Sequence, residues 1–195
     1  MGELLTQLDG ATNVLLAEPS LGTGREACTS LLVDETTERS VLFVSFTRQA
    51  SACVDQLADE DGITDMGVIT VGDASPAVDD DSVVTEAVST PSDLTGLGIK
   101  IGEALSEFDA PVTLCFDSLT SMLQYVDVQT AYEFLHAVTG QVHAAGARAH
   151  FHIDPSAHSD EDVAGLASLF DARVSLEGDD HVVATRSLLE SGSFA

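Results

Sequence analysis

The sequence predicts an α/β protein of three αβα layers, with a mainly parallel sheet and a C-terminal antiparallel hairpin at one sheet edge. Three observations carry this prediction. Short apolar runs rich in β-branched residues alternate with segments whose apolar residues recur every three or four positions. The alternation continues along nearly the whole chain, as helices crossing over between parallel strands require. Only the last two apolar runs are joined by a short polar turn, "EGDDHV", which suits a hairpin. A chain of 195 residues suits a single domain, taken as 1–195 with a core over about 10–190.

The elements follow in order. "GELLTQLDGAT" reads as a short helix or lid beside the first strand, "NVLLAE". The helix "REACTSLLVDE", the strand "SVLFVSF", the helix "RQASACVDQLADE" and the strand "MGVITV" come next. "GDASPAVDDD", acidic and proline-bearing, is a surface loop, and "SVVTEAV" adds a short strand. Beyond it lie the helix "PSDLTGLGIKIGEALSEFD", the strand "VTLCFDSL", the helix "DVQTAYEFLHAVTGQVHAAG", the strand "ARAHFHID" and the helix "DEDVAGLASLF". "DARVSLEG" and "DHVVATRSL" form the hairpin, and the terminal "LLESGSFA" frays. In such a sheet the ligand site lies at the carboxyl ends of the strands.

Charge bounds the partners. Against 33 acidic residues stand 7 basic ones, with Lys100 the single lysine, for a formal charge of −26. That surface repels nucleic acid. Disorder is the usual companion of such acidity, but 44% hydrophobic residues in periodic segments argue for a folded chain. In molar salt the Debye length falls to about 3 Å and self-repulsion is screened, so the composition suits a halophilic cytosol. Cys28, Cys53 and Cys115 are far apart and flanked by apolar residues, with neither disulfide nor metal spacing, and read as buried free thiols of a reducing cytosol. No signal segment or run of 18 apolar residues is evident, so a cytoplasmic protein without membrane contact is expected.

The turn after the first strand is the main functional candidate. A working phosphate loop reads GxxxxGK[ST]: backbone amides cradle phosphates, lysine bridges the terminal ones, and the hydroxyl binds Mg²⁺. The corresponding residues are Pro19, Ser20, Leu21, Gly22, Thr23, Gly24, Arg25 and Glu26. Gly22 and Gly24 preserve the frame. Arg25 keeps a positive charge, in a planar fork larger than an ammonium. Glu26 replaces a neutral metal ligand with a carboxylate. One like-charge pair 4 Å apart at an effective dielectric of 20 costs about 4 kcal/mol, so phosphate is disfavoured unless Glu26 binds the metal or pairs with Arg25 or Arg48. As an acid in the first helical turn, Glu26 also suits the helix dipole. Downstream, "VTLCFDSL" runs an apolar strand into Asp117, the place of a Walker B aspartate holding magnesium's water shell.

Together, "AEPSLGTGRE", "SVLFVSFTRQ" and "TLCFDSLTSML" resemble the KaiC-like branch of the RecA superfamily. The tail "AHFHIDPSAHSDEDVAGLASLFDARVSLEG" is similar to a group of RecA-like proteins of halophilic archaea. The resemblance implies a RecA-like sheet, ATP and Mg²⁺ as ligands, a metal role for Asp117, and phosphate roles for Gly22, Gly24 and Arg25 within the vestigial loop Ser20 to Glu26. Relatives that hydrolyse ATP place a glutamate pair after the "SF" of the second strand. Here Thr47 and Arg48 stand there, which leaves no catalytic base.

Other constellations compete. His150, His152 and Asp154 alternate along one strand, with His158 and Asp160 following. The expected reading is a polar cluster at the sheet's carboxyl edge, with His152 bonding Asp154 and His158 steadying the turn at Pro155. A metal site and a pH or nucleotide sensor are the alternatives. His136 and His143 suit half-buried helical positions. No GxSxG, Cys-His or GxGxxG arrangement is present. Arg39, Lys100, Arg148, Arg173 and Arg186 are scattered, and any of them could reach a neighbour in a homo-oligomeric ring.

The expected function is a regulatory or scaffold module in signal transduction, with weak or no nucleotide turnover and a protein partner. Two alternatives are an ATPase of a halophilic cytosol, with Arg25 in place of the lysine, and an interaction module that binds no nucleotide.

Overall fold

The computed structural model describes residues 2–19, 24–33, 37–109, 111–177 and 180–186. The elements are α1 (Gly2–Gln7), β1 (Asn13–Ala17), α2 (Gly24–Leu32), β2 (Arg39–Ser45), α3 (Ala50–Gln56), β3 (Ile63–Val71), β4 (Val83–Val88), α4 (Leu94–Glu107), β5 (Val112–Asp117), α5 (Leu119–Met122), α6 (Val128–Ala144), β6 (Arg148–Ile153), α7 (Asp160–Ala167), β7 (Ala172–Glu177) and β8 (Asp180–Thr185). The strands form one eight-stranded sheet in the order β4-β3-β2-β5-β6-β1-β7-β8. All neighbours are parallel except β7 and β8, the antiparallel edge hairpin. The expected three-layer arrangement is therefore present.

Central strands are buried on both faces, which is why β1 and β2 read as unbroken apolar runs. Strand alternation divides their side chains between two unlike layers. Leu15, Leu42, Val44, Leu114, Phe116, Phe151 and Ile153 point to the side covered by α4, α6 and α7, in one continuous core. Phe116 is its centre, with ring centroids 5.6 Å from Phe46, 6.2 Å from Phe134 and 5.5 Å from Phe151. The opposite side carries two smaller clusters. One holds Cys28, Leu32, Val41, Phe43, Cys53, Leu57 and Cys115, and the other holds Leu4, Leu8, Val14, Leu16, Ala172 and Val174.

Capping sets where the helices begin and end. Asp93, Asp127 and Ser159 accept hydrogen bonds from Gly96 N, Thr130 N and Asp162 N at the starts of α4, α6 and α7. At the end of α6, Gly146 takes a φ of +65°. Its N–H reaches the His143 carbonyl at 3.1 Å, and Ala147 N reaches the Val142 carbonyl at 3.0 Å, the paired bonds of a Schellman stop. That stop aims the chain directly into β6.

The described helix α5, directly after Asp117, was not anticipated from periodicity; at four residues it is too short to leave one. His136 and His143 are exposed on α6, not half-buried, because Phe134, Leu135, Val138 and Val142 take the inward stripe. No helix among the described residues is long and apolar enough to cross a membrane. The predicted fraying of "LLESGSFA" falls outside the described residues.

Candidate functional site

The carboxyl ends of β1, β2, β5 and β6 surround an open cleft of about 310 Å³, lined by Glu18, Thr47, Asp117, Ser118, Thr120 and His152 among others. Of the eight phosphate-loop positions, Ser20, Leu21, Gly22 and Thr23 lie outside the described residues. Gly24, Arg25 and Glu26 form the first turn of α2, with Gly24 buried and both charged residues exposed.

Glu18, just past β1, is the acidic residue that faces this helix start. A methyl group at Gly24 would displace the Glu18 carboxylate, so the glycine leaves room for that side chain to come this close to the helix start. Its Oε1 lies 2.6 Å from His152 Nδ1, while Oε2 is buried without a hydrogen-bond partner. The expected His152–Asp154 bond is thus replaced by His152–Glu18. Asp154 instead turns to its own loop and accepts from Ser156 N at 2.9 Å and Ser156 Oγ at 2.6 Å. The β1–β6 pairing explains the change: it brings the end of β1, and Glu18 after it, beside His152 under α2. His158 Nε2 lies 3.1 Å from Thr120 Oγ1, which also accepts from Asp154 N, so His158 ties this turn to α5.

Asp117 ends β5 at the cleft, in the place expected from the sequence. Its carboxylate lies 3.8 Å from Arg48, whose guanidinium also donates to the Ala52 carbonyl at 2.8 Å and sits 5.9 Å from the Phe43 ring centre. Arg48 therefore engages Asp117 across the β2–β5 pair. The peptide joining Asp117 to Ser118 is cis, and Ser118 caps α5.

Behind the cleft lies a feature that sequence spacing did not reveal. Cys28 from α2, Cys115 from β5, and His150 and His152 from β6 form one buried cluster, with a candidate ligand atom from each within 4.8 Å of all the others. Cys28 Sγ is 3.5 Å from Cys115 Sγ, 3.2 Å from His150 Nε2 and 3.4 Å from Gln56 Nε2. The two imidazole centroids are 5.2 Å apart. The cysteines are buried and free, as expected, but two of the three are neighbours. The one signal in the sequence was that Cys115 lies two residues before Asp117; its pairing with His150 is set by the β5–β6 register, which spacing along the chain does not show.

Electrostatics within the cluster are uneven. The hydrogen bond from Cys115, opposed by burial and helped by His150 and His152, holds the Cys28 thiol well below the ordinary range. Burial and the Cys28 sulfur push Cys115 up. Burial disfavours the imidazolium of His152, but the nearby Cys28 sulfur and the Glu18 carboxylate outweigh it and raise the pKa to about 10. Cys53, away from the cluster, is pushed up to about 11 by burial.

Among solved structures, the protein PH0250 from Pyrococcus horikoshii OT3 matches with a TM-score of 0.64 at 12% identity, over 93% of this chain and 90% of that one. The KaiC-like protein PH0186 from the same hyperthermophilic archaeon matches with a TM-score of 0.56 at 14% identity, over 90% and 78%. At those identities the likeness is one of fold, and the fold is RecA/KaiC-like. No curated protein sequence matches. A family model matches residues 11–176, from before β1 to within β7, and so this chain belongs to DUF7504, a family of unknown function.

Proposed function

We propose that this RecA/KaiC-like domain serves as a regulatory or scaffold module in signal transduction, with weak or no nucleotide turnover. The observation that carries the reading is the Glu18 carboxylate standing against Gly24 at the start of α2. A helix start of this kind attracts an anion, and here the chain places its own anion beside it. Asp117 is engaged by Arg48, and Thr47 and Arg48 occupy the positions where hydrolysing relatives place glutamates. Glu18, Asp117 and Asp154 all line the cleft, so a triphosphate entering it meets three carboxylates. A surface of such acidity suits a halophilic cytosol and protein partners rather than nucleic acid.

In molar KCl, ATP with Mg²⁺ is expected to raise the melting temperature little or not at all, because ligand stabilisation follows the ratio of concentration to Kd. Turnover on the order of 1 s⁻¹ would establish the ATPase reading, with Arg25 on phosphate and Glu26 on metal. Combining Arg25→Lys and Glu26→Thr with Glu18→Gln should create nucleotide-dependent stabilisation if charge alone bars the ligand. The absence of any gain would favour an interaction module whose loop backbone no longer admits phosphate.

A further inference from the structure

We propose that Cys28, Cys115, His150 and His152 form a structural zinc site that fastens α2 to β5 and β6 beneath the cleft. Two thiols and two imidazoles are a common tetrahedral donor set for this ion. Zn–S bonds of about 2.3 Å and Zn–N bonds of about 2.0–2.1 Å at tetrahedral angles separate ligand atoms by roughly 3.3–3.8 Å. The separations of 3.5 Å between the sulfurs and 3.2 Å from Cys28 to His150 already match that frame, and the widest spread is 4.8 Å. Closing the set takes side-chain shifts of about 1 Å, with no change of backbone topology.

Three further observations point to a ligand. The His152 side chain is only 7% exposed, and its Nε2 is buried with no hydrogen-bond partner. A buried ring nitrogen left without a partner is costly in a core, and a metal bond satisfies it. Its other nitrogen, Nδ1, meets the Glu18 carboxylate at 2.6 Å, the carboxylate–histidine arrangement that orients a metal-binding imidazole. Gln56 Nε2, 3.4 Å from Cys28 Sγ, donates to that sulfur as outer-shell groups do to a metal-bound thiolate. Cys28 and Cys115 also belong to the apolar cluster of Leu32, Phe43 and Leu57, so the metal would be held within packed surroundings. Zinc binding is independent of whether nucleotide binds.

The test uses the full chain, reduced, stripped with chelator and reloaded with Zn²⁺ or Co²⁺ alone. One zinc per chain, a zinc-dependent rise in melting temperature, and cobalt spectra with thiolate charge transfer and intense tetrahedral bands are expected. X-ray absorption of the zinc form should show two sulfur and two nitrogen neighbours, a readout that needs no variant. Cys115→Ser and His152→Gln should abolish stoichiometric binding, whereas Cys53→Ser should leave it unchanged. Glu18→Gln, which leaves all four zinc donors in place and weakens the bond that orients His152, should lower zinc affinity by about 10–100-fold. Absence of a zinc-dependent shift in reduced wild-type protein would overturn the site. So would oxygen-only coordination, or zinc binding that survives Cys115→Ser, or a Cys28–Cys115 disulfide that persists under reductant.

Discussion

The two faces of the sheet are built on different principles. On the side of α4, α6 and α7, a single core runs from β4 to the loop before β7 and is centred on clustered phenylalanines. On the side of α1, α2 and α3, apolar packing forms two smaller clusters, one of which includes Cys28 and Cys115 of the buried thiol–imidazole group. Non-directional burial stabilises the first face, whereas the second depends on partners in defined geometry. The cleft opens at the carboxyl ends of the strands, lined by Glu18 and His152 together with Ser118, Thr120 and Ser121 of the α5 segment. A face held by directional contacts can be loosened or locked by one ligand, while a jigsaw of aromatic rings cannot.

Substitutions can break or sharpen that contrast. Phe116→Ala should cost the most, about 3–5 kcal/mol in denaturant unfolding, because the ring is fully buried among three others and the cavity cannot close. Leu32→Ala, equally buried but in a small cluster that relaxes more readily, should cost about 2–3 kcal/mol. Equal losses at the two positions would erase the distinction between the faces. In metal-free protein, Glu18→Ala should destabilise by about 1–3 kcal/mol, since it removes the observed partner of the buried His152 Nδ1. The same change removes a cleft carboxylate and should strengthen the binding of any polyphosphate, which calorimetry can measure. Asp127→Ala, at an exposed cap of α6, should cost only about 1 kcal/mol, and its melting shift calibrates the others.

Much of the architecture was legible because its causes are local and repeated. Every crossover leaves two periods side by side, period two in a strand and near four in a helix, so the order of elements and the edge hairpin could be read directly. Asp117 was readable because a hydrophobic run ending in acid marks a strand end facing a site. Glu18 was not singled out, since a glutamate after a strand has no distinctive spacing; its meaning came from the close approach to Gly24. The His152–Asp154 pairing failed for a related reason. Sharing a strand face places two side chains in the same direction, while the partner is chosen by the neighbouring strand.

By itself, the sequence determined the alternation of strands and helices, the excess of acidic over basic residues, and Asp117 at the end of an apolar strand. Those properties depend on residue type and short-range period, which are written in consecutive positions. Only the tertiary structure decided that Cys28, Cys115, His150 and His152 meet, and that Glu18 stands at the head of α2. Strand order placed β5 and β6 side by side beneath α2, and distances of this kind are set by which strands pair and which helix covers them.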